Sequence, residues 1–317
     1  MAEVGLREIR EAAARIAPHI HRTPVMTSRA FNSAAGGVKT YFKCENLQRG
    51  GAFKLRGAVN FLLSLSSRDA EKGVVAFSSG NHAQAVAIAA GIRGTKATLV
   101  MPGDAPKSKI AATRDYGGSI VRYDRLKEDR EAIGRRIAEE TGATLTPPFE
   151  HPWIIAGQGT AALELLEDAP ELDALCVCVG GGGLLSGSAV AAKALRPDIR
   201  IFGVEPERAN DWWLSMAAGH PVEIPPPDTI ADGLRPPKPG KLTFALAQPR
   251  IEGILLVTEE EIIATMKFLL LRMKILVEPS GAVSAAALLH GKLPPDVRSA
   301  GVILSGGNVD WELLQKL

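Results

Sequence analysis

The chain has 317 residues, 46% of them hydrophobic, 23% charged and 5% aromatic, with a formal net charge of +2. That is enough apolar mass for a large core divided between two lobes. A near-neutral balance without a dense Lys/Arg block argues against a nucleic-acid or membrane surface as partner and leaves small anionic ligands open.

In chain order, Met1 to Ile20 carries Glu3, Arg7, Glu8, Arg10, Glu11 and Arg15 among alanines. It therefore lacks the apolar core of a signal peptide and predicts an amphipathic helix. No stretch reaches the roughly 18 uninterrupted apolar residues of a membrane span, so the cytoplasm is the expected compartment. Cys44, Cys176 and Cys178 cannot all pair within one chain; they read as buried thiols, lacking the Cys-x-x-Cys spacing and nearby histidine of a metal site. Pro18 and Pro24 bracket His19 and His21 in a connecting loop, and residues 39–43 run extended.

Residues 50–58 hold Lys54 between small residues and Phe53. Desolvation there lowers an ammonium pKa and leaves a neutral amine able to form a Schiff base with an aldehyde cofactor. The plainer alternative makes Lys54 and Arg56 solvated surface charges. A helix is expected over residues 57–65, just after the lysine. Residues 74–77 predict a strand that ends in Ser78-Ser79-Gly80-Asn81-His82, followed by a helix over residues 83–90. Backbone amides at that helix start, with two hydroxyls, an amide and an imidazole, suit a carboxylate; an ordinary helix cap is the competing use. Strand 97–101, helix 107–116, strand 119–123 and helix 125–141 then alternate as in a parallel sheet.

Pro147, Pro148 and Pro152 mark a return from a smaller lobe to a larger one. Helix 157–167 and buried strand 175–179 precede Gly180-Gly181-Gly182-Gly183 and a helix over residues 184–195. Four bare peptides at a helix start suit a phosphate dianion, while the spacing matches neither a P-loop nor Gly-x-Gly-x-x-Gly. After strand 201–204, Glu205 and Asp211 with a loop carbonyl can converge on a hard cation, or form a solvated acidic loop. Residues 224–240 are proline-rich and extended. A helix over residues 259–274, the apolar-flanked Glu278 and an alanine-rich helix follow. Strand 302–304 ends in Ser305-Gly306-Gly307-Asn308, where open parallel sheets present ligand-binding loops.

This set of motifs resembles the fold-type II pyridoxal-phosphate enzymes, specifically the serine/threonine dehydratases (ammonia-lyases) and serine racemases, over nearly the whole chain. The motifs that carry the resemblance are Ala52 to Ala58, Ser78 to His82, Gly157 to Thr160, Gly180 to Gly183 and Ser305 to Asn308; Ala52 departs from the serine common in the family. The resemblance implies an α/β fold like tryptophan synthase β, with two open twisted, mostly parallel sheets flanked by helices. It further implies a large cofactor domain of residues 1–64 and 151–317 and a small domain of residues 65–150.

Carried over position by position, it implies Lys54 as Schiff-base lysine and Phe53 beside the pyridine ring of pyridoxal 5'-phosphate. Asn81 would meet the 3'-oxygen, Gly180, Gly181, Gly182 and Gly183 the phosphate, and Ser305 the pyridine nitrogen, with Gly233 and Glu278 also lining the cofactor. Ser78, Gly80, Asn81, His82 and Arg130 would bind substrate, Ser79 would join Lys54 as a catalytic residue, and Glu205, Ala209 and Asp211 would hold a structural Mg²⁺ or Ca²⁺. The expected activity is elimination of water from L-threonine or L-serine to a 2-oxo acid and ammonia. Serine racemisation with side dehydration, 3-hydroxyaspartate dehydration and a non-catalytic ligand-binding role are the alternatives. A homodimer or homotetramer is expected, without the C-terminal regulatory domain of biosynthetic threonine dehydratases.

Overall fold

Short apolar runs separated by helix-forming stretches fold as parallel strands with helical crossovers, because parallel neighbours cannot be joined by a tight turn. A computed structural model describes residues 4–78, 80–105, 107–124 and 127–316. Among them the strands are β1 (Val25–Thr27), β2 (Lys39–Cys44), β3 (Val74–Phe77), β4 (Ala97–Pro102), β5 (Ser119–Tyr123), β6 (Thr144–Leu145), β7 (Ala174–Cys178), β8 (Arg200–Pro206), β9 (Gly253–Val257) and β10 (Ser299–Leu304). One sheet has the order β1-β2-β10-β7-β8-β9 and is parallel apart from the β1–β2 pair. The other, β5-β4-β3-β6, is parallel throughout and is built wholly from residues between Val74 and Leu145. Every residue of β7 is buried, as expected of a strand covered by helices on both faces.

Three helices buried along most of their length pack in series, Lys54–Ser64 against Pro152–Asp168 and Pro152–Asp168 against Gly183–Leu195. Glycines set how closely they approach. A Cβ at Gly157 would lie 2.7 Å from the Arg56 carbonyl oxygen, and one at Gly187 would collide with the Ile155 carbonyl. The Gly157–Thr160 motif is thus the packing seam behind Lys54: Gln158 Oε1 accepts from the Gly57 N–H at 3.2 Å, and Thr160 Oγ1 accepts from Arg56 Nη1 at 3.1 Å.

Several boundaries differ from the sequence expectations. The first helix is Leu6–Ile16, burying Ile9, Ala12 and Ile16; it stops short of Ile20 because Pro18 has no N–H to continue the ladder. The segment expected as a helix from Arg125 becomes helical only at Arg130, where Asp129 accepts from the Glu131 N–H at 2.8 Å; residues 125 and 126 lie outside the described set. Helix Glu259–Phe268 opens with a Thr258/Glu261 capping box, widens into a π-turn over Leu269–Met273, and stops at Lys274 with φ of 62°. No strand was expected over residues 253–257, a run too short to tell a strand from a buried helical turn. No described helix is long and apolar enough to cross a membrane.

The parallel neighbours β10 and β7, paired through Val302 and Cys176, bring their carboxyl ends side by side. The Ser305–Asn308 and Gly180–Gly183 loops therefore leave the sheet together, at the edge where such sheets bind ligands.

Candidate active site

Lys54 is delivered to this edge by backbone bonds. Phe53 N–H donates to the Ser305 carbonyl at 3.0 Å, Gly307 N–H to the Gly51 carbonyl at 2.9 Å, and Ala52 bridges Gly306. The helix begins at Lys54 itself, not after it. Its Nζ stands 5.2 Å from the Phe53 ring centroid and donates to the Pro148 carbonyl at 2.9 Å. Burial pulls the Lys54 pKa down from 10.5 to about 8, so a neutral amine is accessible near physiological pH.

Arg56 is not the surface charge that its type suggests; it is fully buried. Its guanidinium meets Glu45 at 2.7 and 2.8 Å and Glu164 at 2.8 Å through two nitrogens, while Lys43 Nζ lies 2.6 Å from Glu164. Thr23 Oγ1 donates to Glu45 Oε1 at 2.5 Å. Two cations and two carboxylates balance inside the core and tie β2, the lysine helix and helix Pro152–Asp168 into one unit.

Opposite stands the turn after β3. Ser79 lies outside the described residues. Gly80 N–H donates to Ser78 Oγ at 3.2 Å, and helix Asn81–Arg93 starts next. His82 is buried; burial and the nearby Lys54 charge lower its pKa to about 3. It is therefore neutral, its Nε2 directed at the Thr146 carbonyl at 3.2 Å, and what it offers an anion is a first-turn backbone N–H, not an imidazolium. Asn81 Nδ2 donates to Glu278 Oε1 at 2.6 Å, and Asn308 Nδ2 donates to Asn81 Oδ1 at 2.9 Å. Burial, with the Asp232 charge second, pushes Glu278 up to about 8. Gly233 N–H is held by Ser280 Oγ at 2.9 Å. The Arg130 guanidinium stands 5.8 Å from the Phe77 ring centroid, beside the end of β3.

One group here was not expected from sequence. Lys109 Nζ pairs with Asp232 at 2.7 Å and lies 3.9 Å from where a Gly80 Cβ would stand. Its helix carries no motif; the one hint was the Ala-Asp-Gly within the proline-rich segment that supplies Asp232.

The four glycines form a bare cradle. A Cβ on Gly181 would collide with Phe149 and one on Gly182 with Trp212, and Gly182 has φ of 94°, a conformation that favours glycine. Trp212 Nε1 donates to the Gly180 carbonyl at 2.6 Å and Thr243 Oγ1 to the Gly181 carbonyl at 2.7 Å. In a trans peptide the following N–H points the opposite way, so the Gly181 and Gly182 N–H groups face away from these partners at the start of helix Gly183–Leu195. Ser305 is buried at the end of β10, in contact with the Cys178 thiol. Together these groups fit an aldehyde-bearing aromatic phosphate: an amine of lowered pKa, an anion cradle of bare peptides, and a buried hydroxyl.

Beyond the cradle, Glu205 and Asp211 are both fully buried. Glu205 accepts the Trp213 N–H at 2.8 Å and the Trp212 N–H at 3.3 Å. Neither oxygen of Asp211 has a hydrogen-bond partner, and burial raises its pKa to about 7. Burial and the neighbouring Asp211 raise Glu205 as well. Among the described residues no cluster of three His, Cys, Asp or Glu side chains forms a metal site, so a cation here would rely on these two carboxylates and the carbonyl of the buried Ala209.

Residues 16–306 match the family profile described as pyridoxal-phosphate dependent enzyme. An L-threo-3-hydroxyaspartate ammonia-lyase of Saccharomyces cerevisiae is 51% identical, covering 96% of this chain and 93% of its own. A serine racemase of Schizosaccharomyces pombe is 48% identical, covering 96% and 94%. Among solved structures, maize serine racemase superposes with a TM-score of 0.95 at 45% identity, covering 99% of this chain and 97% of its own.

Proposed function

The chain belongs to the pyridoxal-phosphate dependent enzymes, and from that footing we propose that it is an ammonia-lyase, which eliminates water from a 2-amino-3-hydroxy acid to give a 2-oxo acid and ammonia. The observation that carries this reading is Lys54: one buried amine, its pKa pulled to about 8, facing a helix start suited to a carboxylate.

Lys54 would hold the cofactor by its aldehyde, Gly180–Gly183 its phosphate and Ser305 its pyridine nitrogen, with Asn81 at the ring oxygen. When bound, the cofactor supplies an electron sink for the substrate's Cα. Ser78 and the first-turn amides of Asn81 and His82 orient the substrate carboxylate. Lys54, freed as substrate takes its place, removes the Cα proton. The Cα electron pair forms the Cα–Cβ double bond as the β-hydroxyl leaves as water, taking up one proton for the one that Lys54 removed from Cα. The released enamine tautomerises to an imine, and water hydrolyses it to the 2-oxo acid and ammonia.

Glu205, Asp211 and the Ala209 carbonyl would hold a hard divalent cation with oxygen ligands, and the unpartnered Asp211 carboxylate supports that assignment. Two further readings have specific support. Lys109 and Arg130 stand beside the carboxylate turn, so a substrate with a second carboxylate, L-threo-3-hydroxyaspartate, is a candidate alongside L-threonine and L-serine. The likeness to serine racemases makes inversion the rival reaction. Incubation with each amino acid, measuring both 2-oxo acid and enantiomer ratio, tests the proposal. Inversion without 2-oxo acid from any of the three would overturn it.

A further inference from the structure

Asp211, Trp212 and Trp213 form the first turn of helix Asp211–Ala218. Trp213 is 46% exposed, whereas Trp212 is fully buried against Phe244, with ring centroids 5.6 Å apart. Trp212 touches two sites at once. Its backbone N–H donates to Glu205 Oε2 at 3.3 Å and it follows directly on Asp211, so the carboxylate pair governs where its backbone lies. Its indole N–H donates to the Gly180 carbonyl at 2.6 Å, and its ring closes the space that a Gly182 side chain would need. The Gly180–Gly181 peptide is planar, so fixing its carbonyl aims the Gly181 N–H.

We propose that Trp212 is a positioning residue that couples cation occupancy at Glu205 and Asp211 to the aim of the tetraglycine loop, and hence to cofactor affinity. This rests on the reading that those carboxylates hold a divalent cation and that the glycines hold the phosphate. A cation drawing Glu205 and Asp211 together anchors the helix start, and the indole passes that anchor to the loop. Thr243, which donates to the next carbonyl, is on helix Lys241–Ala247, whose Phe244 packs on the Trp212 ring, but its hydroxyl bonds to the Gly181 and Gly240 carbonyls and to neither carboxylate.

The test uses the full chain stripped of cofactor. Pyridoxal phosphate is titrated by absorbance with saturating Mg²⁺ or with chelator, and Mg²⁺ binding is measured separately by calorimetry. In the wild type, Mg²⁺ is expected to tighten cofactor binding about 2- to 10-fold, the worth of one net hydrogen bond. By linkage, the cofactor tightens Mg²⁺ binding by the same factor. Trp212→Phe keeps an aromatic ring but loses the donor; it should still bind Mg²⁺ when cofactor-free, yet show a cofactor affinity indifferent to Mg²⁺. Thr243→Val should weaken cofactor binding but keep the Mg²⁺ dependence. Hydrogen exchange over residues 180–186 of the wild type, which needs no variant to fold, should slow when Mg²⁺ binds.

A Trp212→Phe protein with the wild-type Mg²⁺ dependence overturns the coupling, as does a wild type that binds Mg²⁺ with no change in cofactor affinity or loop exchange. No calorimetric binding of either Mg²⁺ or Ca²⁺ overturns the cation assignment beneath it, and calorimetry distinguishes that result from failure of the coupling alone.

Discussion

Replacing Arg56 by methionine removes one guanidinium that serves two buried carboxylates. Its five hydrogen bonds go to Glu45, Glu164 and Thr160 at distances of 2.7 to 3.1 Å. Breaking a buried ion pair by deleting one partner costs about 3–5 kcal/mol, because the remaining charge stays desolvated. Here Lys43 remains beside Glu164, but among the described residues Glu45 keeps only the Thr23 hydroxyl, so a loss near the upper end, about 5 kcal/mol, is expected at pH 7. Arg56→Lys keeps the charge without the fork and should recover only part of that loss.

The pH dependence separates this account from a mere change of shape. In the wild type, burial opposes the Glu164 charge but the Arg56 hydrogen bonds and charge, helped by Lys43, hold its pKa below 4.5. The stability it contributes is complete above that ordinary value and is lost as pH falls through the lower, folded one. In Arg56→Met, Glu164 loses the Arg56 hydrogen bonds and charge while burial still opposes its own charge, so its pKa moves up and lowering the pH from 7 toward 5 shrinks the variant's deficit. Urea unfolding followed by circular dichroism at pH 7 and pH 5 measures both effects. A deficit below about 1.5 kcal/mol, or one that grows on acidification, would refute the argument that these charges are desolvated and mutually dependent.

Four other outcomes are expected. Borohydride reduction of the cofactor-loaded protein should label Lys54, and Lys54→Ala should lose the visible absorbance and turnover while keeping its circular dichroism; a label on another lysine sinks the assignment. With Lys54 as base, kcat should rise with pH toward a plateau above about 8, since the amine must be neutral and burial lowers its pKa to that range, and a rate falling through this window speaks against it. Ser79→Ala should abolish racemisation and any action on D-serine while much of the elimination from L-substrates survives, because one base suffices for elimination; loss of elimination with a normal cofactor spectrum would show that Ser79 acts in it. Exhaustive chelation should lower the melting temperature or the rate through Glu205 and Asp211, and unchanged values with no metal by elemental analysis would remove the site.

What could be read without a structure was local. Residues 74–82 and 175–183 each show an apolar run, then small or polar residues, then a helix former; that order predicts strand, turn and helix in both, with four bare glycines pointing to a phosphate in the second, while the first reads on its own as an ordinary helix cap. Lys54 alone reads as a solvated charge and becomes recognisable only beside the Ser78–His82, Gly180–Gly183 and Ser305–Asn308 motifs. The partners that decide its environment are not, since they come from 94 to 123 residues away: Pro148 against Lys54, Glu164 against Arg56, Asp232 against Lys109. Sequence spacing gives the periodicity of an element and therefore which face is apolar, but a charged residue looks the same whether it meets water or a distant carboxylate. Arg56 and Glu164 are buried because glycines at 57 and 157 let two helices touch, and His82 is neutral because the folded chain surrounds it with apolar atoms and a lysine. Only tertiary structure decides such matters, since desolvation depends on every segment that packs around a group, while strand, turn and helix depend mainly on residues within a few positions.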